Sequence, residues 1–193
     1  MTTLMLQGRV AVLVANEGIE QVELTEPWKA LTEAGAQPEL IAPEPGRAQA
    51  VNHLDKADTF PVDRTVADAD PADYIALVLP GGVANPDALR MDADAVAFAR
   101  AFADAGKPIA AICHGPWMLV EADIVRGRTL TSWPSLRTDI RNAGGTWVDE
   151  PVHNEHGLVT SRKPDDLPAF CAKMIEEFAE GIHSVHPEGP TAH

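Results

Sequence analysis

Four short runs of apolar residues stand out along the chain, and each is nearly continuous rather than alternating with polar positions. They cover residues 10–14, 39–42, 74–79 and 109–112. Continuous apolar runs of this length are typical of parallel strands that are covered on both faces. We therefore predict four buried parallel strands at these positions.

Helical periodicity fills the segment after the first strand. Leu24, Trp28 and Leu31 recur at positions i, i+4 and i+7, and Gly35 provides a C-terminal stop. Pro27 lies inside this pattern, where it is expected either to kink the helix or to mark its first turn. The pattern predicts one amphipathic helix between the first two strands.

Two further helices are predicted in the second half of the chain. One covers residues 92–104, and the other begins near Asp165 or Asp166, which are good N-cap residues. The apolar stripe of this last helix consists of Leu167, Phe170, Cys171, Met174, Ile175 and Phe178. The alternation of strands and helices predicts a three-layer α/β domain with a mostly parallel sheet.

One domain accounts for the chain. Its 193 residues fit the roughly 100–200 residues of a typical domain, and we assign residues 1–182 to that domain. Residues 43–72 are richer in proline and polar residues, which indicates a loop-strand excursion over one end of the sheet. Residues 183–193 contain two prolines and a glycine, and we expect them to form a flexible tail.

Acidic residues dominate the charge of the chain. Fifteen Lys and Arg stand against 29 Asp and Glu, which gives a formal net charge of −14. Such a charge argues against binding to nucleic acid or to anionic membranes. The first residues lack a basic region followed by a long apolar run, so no signal peptide is predicted and we expect a cytoplasmic protein.

The cysteines and histidines predict neither a disulfide framework nor a resident metal. Two cysteines, Cys113 and Cys171, are too few for a disulfide scaffold and lack the Cys-x-x-Cys spacing of a zinc site. Two histidine pairs have i, i+3 spacing, but neither is accompanied by a cysteine; they are His153 with His156 and His183 with His186. We therefore predict no metal and no cofactor, and Cys171 is interpreted as a packing residue on the last helix.

The segment around Cys113 carries the clearest candidate chemistry. An apolar strand runs directly into Cys113, Ala111 and Gly115 flank it at −2 and +2, and a helix follows. This layout is typical of a nucleophile elbow, in which a sharp turn exposes one side chain above the sheet. A helix N-terminus is expected to lower the thiol pKa, and the backbone N–H of His114 is placed to stabilise an oxyanion. The alternative is that Cys113 is a small buried core residue.

Two carboxylates follow the first strand. Glu20 and Glu23 are three residues apart, which places them on one helix face, and the carboxyl ends of parallel strands bind ligands. Either is able to reach the crevice near Cys113, where a raised pKa suits a general acid or base. The alternative, which spacing alone favours, is a solvated acidic first turn.

Two glycines end the third strand. Leu79-Pro80-Gly81-Gly82 allows the backbone to approach a ligand closely, and a second oxyanion N–H is expected from Gly82. The alternative is an ordinary tight turn, since Pro-Gly-Gly is an unspecific motif.

Taken in order, these motifs resemble the ThiJ/PfpI superfamily, in its PfpI intracellular-protease and general-stress-protein branch. They are Glu-Gly-Ile-Glu-Gln-Val-Glu-Leu, then Leu-Pro-Gly-Gly, then Ala-Ile-Cys-His-Gly-Pro. Three later segments agree, beginning at Gly127, Asn142 and Leu158, so the resemblance spans about residues 9–179.

The resemblance implies a flavodoxin-like α/β sandwich and a set of site residues. It implies that Glu23 hydrogen-bonds the reactive thiol of Cys113 and that Glu20 is a second acid near the pocket. Gly82 and His114 match the backbone oxyanion positions. An acidic residue from a neighbouring subunit joins the Cys and His in the protease branch, and Asp87 is its candidate here. The branch also implies homodimers, sometimes assembled into hexamers.

Two functional hypotheses follow. The first is a stress-response enzyme with a cysteine nucleophile, either a peptidase-like hydrolase or a glyoxalase or deglycase, acting on a peptide or a small carbonyl substrate. The second is a redox-responsive stress protein whose Cys113 is oxidised to sulfenic or sulfinic acid without turnover.

Overall fold

The fold alternates strands and helices along most of its length. The structure is a computed structural model, and it describes residues 5–183. Its strands are β1 Arg9–Leu13, β2 Glu17–Glu20, β3 Gln37–Ala42, β4 Arg47–Asn52, β5 Asp55–Pro61, β6 Arg64–Thr65, β7 Tyr74–Leu79, β8 Ile109–Ile112, β9 Thr129–Leu130, β10 Thr146–Trp147, β11 Val152–Glu155 and β12 Leu158–Ser161. Its α-helices are α1 Gln21–Glu33, α2 Ala84–Leu89, α3 Ala93–Asp104, α4 Pro116–Glu121, α5 Arg137–Asn142 and α6 Leu167–Glu180.

A seven-stranded sheet forms the middle layer. Its strand order is β11-β12-β8-β7-β1-β3-β6, and every pairing in it is parallel except that of β11 with β12. The four apolar runs of the sequence are its central strands β1, β3, β7 and β8, which confirms the prediction of a mostly parallel sheet. β3 begins at Gln37, two residues before the predicted run, because its first residues lie outside the buried centre.

Helices cover both faces of this sheet. Alternate side chains of β1 separate the two sides: Ala11 and Leu13 pack with α3 and α4, whereas Val10 and Val12 pack with α1 and α6. Strands that are buried on both sides carry mostly apolar side chains, which is why the sequences of the central strands read as nearly continuous apolar runs. The three-layer flavodoxin-like architecture is therefore confirmed.

The helix ends follow local rules in one case and a tertiary contact in another. Asp92 caps α3 as its position predicts, since its side chain accepts a hydrogen bond from the Ala95 N–H. Asp166 precedes α6 but makes no capping bond to it; its carboxylate pairs with Arg162 instead. α1 begins at Gln21 and continues through Pro27, which lies beyond its first turn.

The excursion predicted in residues 43–72 is largely a hairpin. β4 and β5 pair antiparallel, and β4 also pairs with β2, so these strands form a separate three-stranded sheet beside the main one. Within residues 5–183, no helix is long and apolar enough to cross a membrane. Of the predicted C-terminal tail, residues 184–193 lie outside the described part of the chain.

Candidate active site

Cys113 stands at the sharp turn between β8 and α4. Its φ is +61°, a left-handed conformation that is uncommon for a residue with a side chain. Gly115 permits the turn, because a Cβ there would lie 2.4 Å from the Leu79 carbonyl oxygen. The backbone geometry is thus that of the predicted elbow, although only 6% of Cys113 is exposed.

Gly81 and Gly82 bring a neighbouring loop against the elbow. A Cβ at Gly81 would lie 2.2 Å from Glu23 Oε2 and 2.6 Å from Cys113 Cβ, so both side chains meet where this glycine has none. Gly82 has a φ of +85°, and a Cβ there would lie 2.1 Å from the Gly18 carbonyl oxygen. These close approaches explain the two glycines after the third predicted strand.

Asn85 anchors this loop, and none of the sequence motifs predicted a role for this residue. Its buried side-chain amide donates hydrogen bonds to the carbonyl oxygens of Pro80 and Gly81 at 3.0 Å each. Its side-chain oxygen accepts the Ala15 N–H at 2.7 Å. Asn85 therefore ties the glycine loop to the end of β1, across 70 residues of sequence, which no local motif signals.

Glu23 is fully buried beside Cys113. Burial raises the pKa of its carboxyl to about 8, and the negative charge of Glu20 adds to this rise. The thiol of Cys113 and the backbone amides of Gly81 and Gly82 act in the opposite direction but do not outweigh burial. Glu23 is therefore a protonated acid at neutral pH, rather than part of a solvated first turn.

Burial also raises the pKa of the Cys113 thiol, and the nearby Glu23 carboxyl raises it further. The backbone amides of Gly82 and His114 lower that pKa, but by less. The expected lowering by a helix N-terminus is therefore wrong for the free chain: α4 has only six residues, and loss of solvent outweighs it. The thiol needs a neighbouring group to accept its proton.

His114 is close enough to exchange that proton. Its Nδ1 lies 3.2 Å from Cys113 Sγ. Burial lowers the pKa of the imidazole to about 4, so the ring is neutral at pH 7 and one of its nitrogens is free to accept a proton. Trp133 stacks on the ring with centroids 5.7 Å apart, and Trp117 meets it edge-on at 5.3 Å. These two indoles hold the imidazole beside the sulfur.

Glu20 lies at the edge of the cavity that contains this pair, whereas Asp87 lies outside that cavity. Glu20 is buried at the end of β2, where its Oε2 accepts the backbone N–H of His53 at 3.0 Å. Asp87 lies in the first turn of α2, where it is exposed and does not line the cavity above Cys113. The structure thus brings Glu23, Gly82, Cys113 and His114 together and leaves Asp87 on the surface.

A cavity of about 230 Å³ opens above the sulfur. Its lining residues come from six parts of the chain and are Glu20, Glu23, His53, Leu54, Gly82, Val83, Cys113, His114, Trp133 and Pro164. His53, Leu54 and Pro164 were not singled out from the sequence. His53 and Leu54 lie in the turn between β4 and β5, Pro164 begins a short 3₁₀ helix before α6, and the fold brings them to the cavity.

Of the two histidine pairs that the sequence offered as metal ligands, His186 lies outside the described residues. Nδ1 of His153 lies 2.8 Å from Glu150, an acidic neighbour on the same segment. His183 lies 3.4 Å from Glu177. One side-chain nitrogen or oxygen of each of Glu177, Glu180 and His183 lies within 4.8 Å of the others, a spacing that exposed acidic groups often show without a metal.

Comparison with known proteins places these features in a family. The model of the DJ-1/PfpI family matches residues 8–177. The chain is 41% identical over 170 residues to "Putative cysteine protease YraA" of Bacillus subtilis, covering 88% of this chain and 98% of that protein. It is 42% identical over 171 residues to "Protein/nucleic acid deglycase 2" of Escherichia coli, covering 88% and 97%. "General stress protein 18" of Bacillus subtilis is 42% identical over 169 residues, covering 87% and 96%.

A solved structure agrees with the fold. The crystal structure of DJ-1beta from Drosophila melanogaster superposes with a TM-score of 0.80 at 26% sequence identity. The match covers 90% of this chain and 91% of that one.

Proposed function

This chain belongs to the DJ-1/PfpI family, and from this premise we propose that it is a cysteine-dependent enzyme that acts on small carbonyl compounds. The observation that carries the proposal is the protonated Glu23 packed against Cys113 at Gly81. A thiol that adds to a carbonyl leaves negative charge on oxygen, and a neighbouring acid is what that oxygen needs.

The proposed first step is the addition of Cys113 to the carbonyl carbon. The thiol gives its proton to Nδ1 of His114, and the sulfur electron pair forms the S–C bond. The π electrons of the carbonyl move to its oxygen, which takes the proton of Glu23. The product is a hemithioacetal, with one proton moved to His114 and one lost from Glu23.

A neutral His114 suits this step. Because the pKa of the imidazole is lowered to about 4, the ring accepts the thiol proton only transiently and returns it readily to the Glu23 carboxylate. The N–H groups of Gly82 and His114 lie where they lower the pKa of the thiol, so they also favour negative charge that develops at this point.

The size of the cavity favours small substrates. A volume of about 230 Å³ lies below the roughly 300–1,000 Å³ of pockets that enclose drug-sized ligands. A short aldehyde or dicarbonyl fits such a space, whereas an extended peptide needs a groove. This supports carbonyl chemistry of the kind that the name of the deglycase relative indicates, more than peptide hydrolysis.

Peptidase activity is the less favoured form of the enzyme hypothesis. A peptidase needs a third group that orients its histidine. The contacts that orient the His114 ring are Trp133, stacked on it, and Trp117, edge-on to it, and neither is a carboxylate. Asp87, exposed on α2, is available to a second copy of the chain. If a homodimer supplies it, Asp87→Asn lowers peptide cleavage without changing the reaction with small aldehydes; analytical ultracentrifugation of the same samples reports the dimer or any larger assembly.

The enzyme proposal is tested with purified protein. Methylglyoxal and a set of fluorogenic peptides are offered to the wild type, Cys113→Ala and Cys171→Ala. We expect consumption of methylglyoxal by the wild type and by Cys171→Ala, and only the uncatalysed rate with Cys113→Ala. Equal rates for all three proteins on every substrate would contradict the proposal.

The second candidate is redox sensing. The same acid Glu23 beside the Cys113 sulfur is able to donate a hydrogen bond to an oxidised sulfur, and a stress protein is among the relatives. Mild peroxide followed by peptide mass spectrometry tests it. Selective gain of oxygen at Cys113 before Cys171 and the methionines supports sensing, and unselective oxidation argues against it.

A further inference from the structure

Glu20 connects two parts of the chain at the edge of the Cys113 cavity. It is the last residue of β2, directly before α1, and only 8% of it is exposed. Its Oε2 accepts the backbone N–H of His53 at 3.0 Å. His53 lies in the turn between β4 and β5 with a φ of +59°, a conformation that is costly for a non-glycine residue. A buried carboxylate therefore holds a strained turn.

This turn forms one wall of the cavity but has little packing of its own. His53 and Leu54 both line the cavity, yet 96% of Leu54 is exposed to solvent. No residue of β5 is fully buried, although Phe60 near its end packs partly against the core. The pairing of β4 with β2 reaches Val51, so the hairpin is held up to two residues before His53. A second polar link, between Gln21 and Asp58 at 2.8 and 2.9 Å, is exposed and lies farther from the tip. Beyond these supports, the Glu20 carboxylate adds a hydrogen bond at the tip itself.

We propose that Glu20 is a positioning residue: through its hydrogen bond to His53 it holds the His53–Leu54 turn over Cys113 and limits the size of molecules that reach the sulfur. The inference deepens the proposed function, because a selective entrance matters for an enzyme of small carbonyl compounds. It gives a role to Glu20, which the resemblance implied to be a second acid near the pocket and which lines the cavity.

Two effects of Glu20 have to be separated. Its hydrogen bond acts on the turn, whereas its negative charge acts on Glu23, whose pKa it raises. Glu20→Gln keeps the length of the side chain and an acceptor oxygen but removes the charge. Glu20→Asp keeps the charge but withdraws the acceptor by one methylene. Only loss of the hydrogen bond is expected to open the entrance.

The test compares how fast small and bulky reagents modify Cys113. Iodoacetamide and N-pyrenylmaleimide are reacted separately with each protein, and peptide mass spectrometry follows Cys113 independently of Cys171. The quantity of interest is the rate with the bulky reagent divided by the rate with the small one, which cancels changes in the reactivity of the thiol. Glu17→Gln is the matched control, because it removes an exposed charge from the same strand.

We expect this ratio to rise about fivefold in Glu20→Asp, the factor that corresponds to losing one ordinary hydrogen bond. Glu20→Gln and Glu17→Gln are expected to keep the wild-type ratio. Hydrogen exchange of the His53 amide follows the same order, with faster exchange only in Glu20→Asp. In carbonyl turnover, Glu20→Asp shifts the preference towards longer aldehydes by raising kcat/KM for them.

Several results would overturn the proposal. If folded Glu20→Asp keeps the wild-type ratio of bulky-reagent to small-reagent rates, Glu20 does not control the entrance. If the ratio rises equally in Glu20→Gln, the effect comes from the charge and not from the hydrogen bond. If circular dichroism shows that Glu20→Asp is unfolded, Leu54→Gly is used instead, because it removes a side chain of the same wall and leaves Glu20 in place. An unchanged rate ratio in Leu54→Gly would show that the His53–Leu54 turn does not restrict access to Cys113. Alkylation requires no turnover, so these outcomes stand whether or not the enzyme proposal survives.

Discussion

The two cysteines differ in their neighbours more than in their burial. Cys113 is buried at the elbow after β8, and Cys171 is half-buried on α6. Burial raises the pKa of both thiols, to about 12 for Cys171, and a carboxyl raises each further: Glu23 at Cys113 and Glu26 at Cys171. Neither thiol is an ionised nucleophile by default.

The groups around each sulfur separate them. Cys113 has a neutral imidazole at 3.2 Å and two backbone amides that favour its negative charge. Cys171 lies in a groove between α1 and α6, near Glu26 and Lys29. A buried cysteine therefore becomes a candidate nucleophile through neighbouring groups that accept and donate protons, and not through a low pKa alone.

Gly81→Ala is expected to have the largest effect on the neighbours that distinguish Cys113 from Cys171. The new Cβ would collide with Glu23 Oε2 and with Cys113 Cβ, so the acid and the thiol have to separate. We expect loss of measurable carbonyl activity and a fall in stability of about 1–3 kcal/mol, typical of overpacking. Chemical denaturation and turnover assays measure both. Gly127→Ala is the control for activity: nothing lies within 4 Å of its Cβ, and although its φ of +72° lowers stability, turnover should be retained. Retained activity in Gly81→Ala would disprove the packing argument.

Glu23→Gln tests the acid itself. Because the protonated form donates to the substrate oxygen and its pKa is about 8, activity of the wild type should fall as pH rises through about 8. Glu23→Gln should lose roughly 100-fold in kcat, the usual contribution of a general acid, together with this alkaline decline. Rate profiles from pH 5 to 10 measure it. Glu26→Gln, which removes the carboxyl near Cys171, should keep both the rate and the profile.

Stability should also depend on Glu23. The pKa of Glu23 is about 8 in the folded state and has the ordinary value of 4.5 in the unfolded state. Between pH 4.5 and about 8, the folded protein therefore keeps a proton on Glu23 that the unfolded chain has lost. Its contribution is complete below about pH 4.5 and disappears as pH rises to about 8. The lowered pKa of His114, about 4, acts in the opposite direction only below its ordinary 6.5. Urea unfolding at pH 6.5 and 8 should therefore show that the free energy of unfolding falls more in the wild type than in Glu23→Gln. An equal fall in both proteins would contradict the raised pKa of Glu23.

The smallest effect is expected at the second cysteine. Glu26→Gln removes a carboxyl that raises the pKa of Cys171, so alkylation of Cys171 should become a few-fold faster. Cys113 should be unaffected in the same sample. Peptide mapping after iodoacetamide treatment reads both sites at once, and a change at Cys113 would mean that the two sites are coupled.

The motifs predicted the centre of the site well because each is a local solution to a steric problem. Gly81, Gly82 and Gly115 stand where a Cβ would meet backbone or catalytic candidates at 2.1–2.6 Å, and that demand is visible as glycine at fixed places near strand ends. Spacing alone favoured a solvated first turn for Glu23, and its contact with the Cys113 thiol was implied by the resemblance to the family. The motifs did not find Asn85 or His53, because their partners are 70 and 33 residues away in the sequence.

The sequence alone was enough to predict the four central strands, the helices α1, α3 and α6 and the elbow at Cys113, because apolar periodicity and glycine spacing are local properties. The order of the three motifs indicated the family. Only the tertiary structure decided the protonation of the site: burial makes Glu23 an acid and His114 neutral, and it raises the pKa of Cys113 where a helix terminus suggested the reverse. It also gave Glu20 a partner in His53 instead of a role beside the sulfur. Desolvation and long-range hydrogen bonds depend on what surrounds a residue in space, and residue spacing along the chain does not encode that.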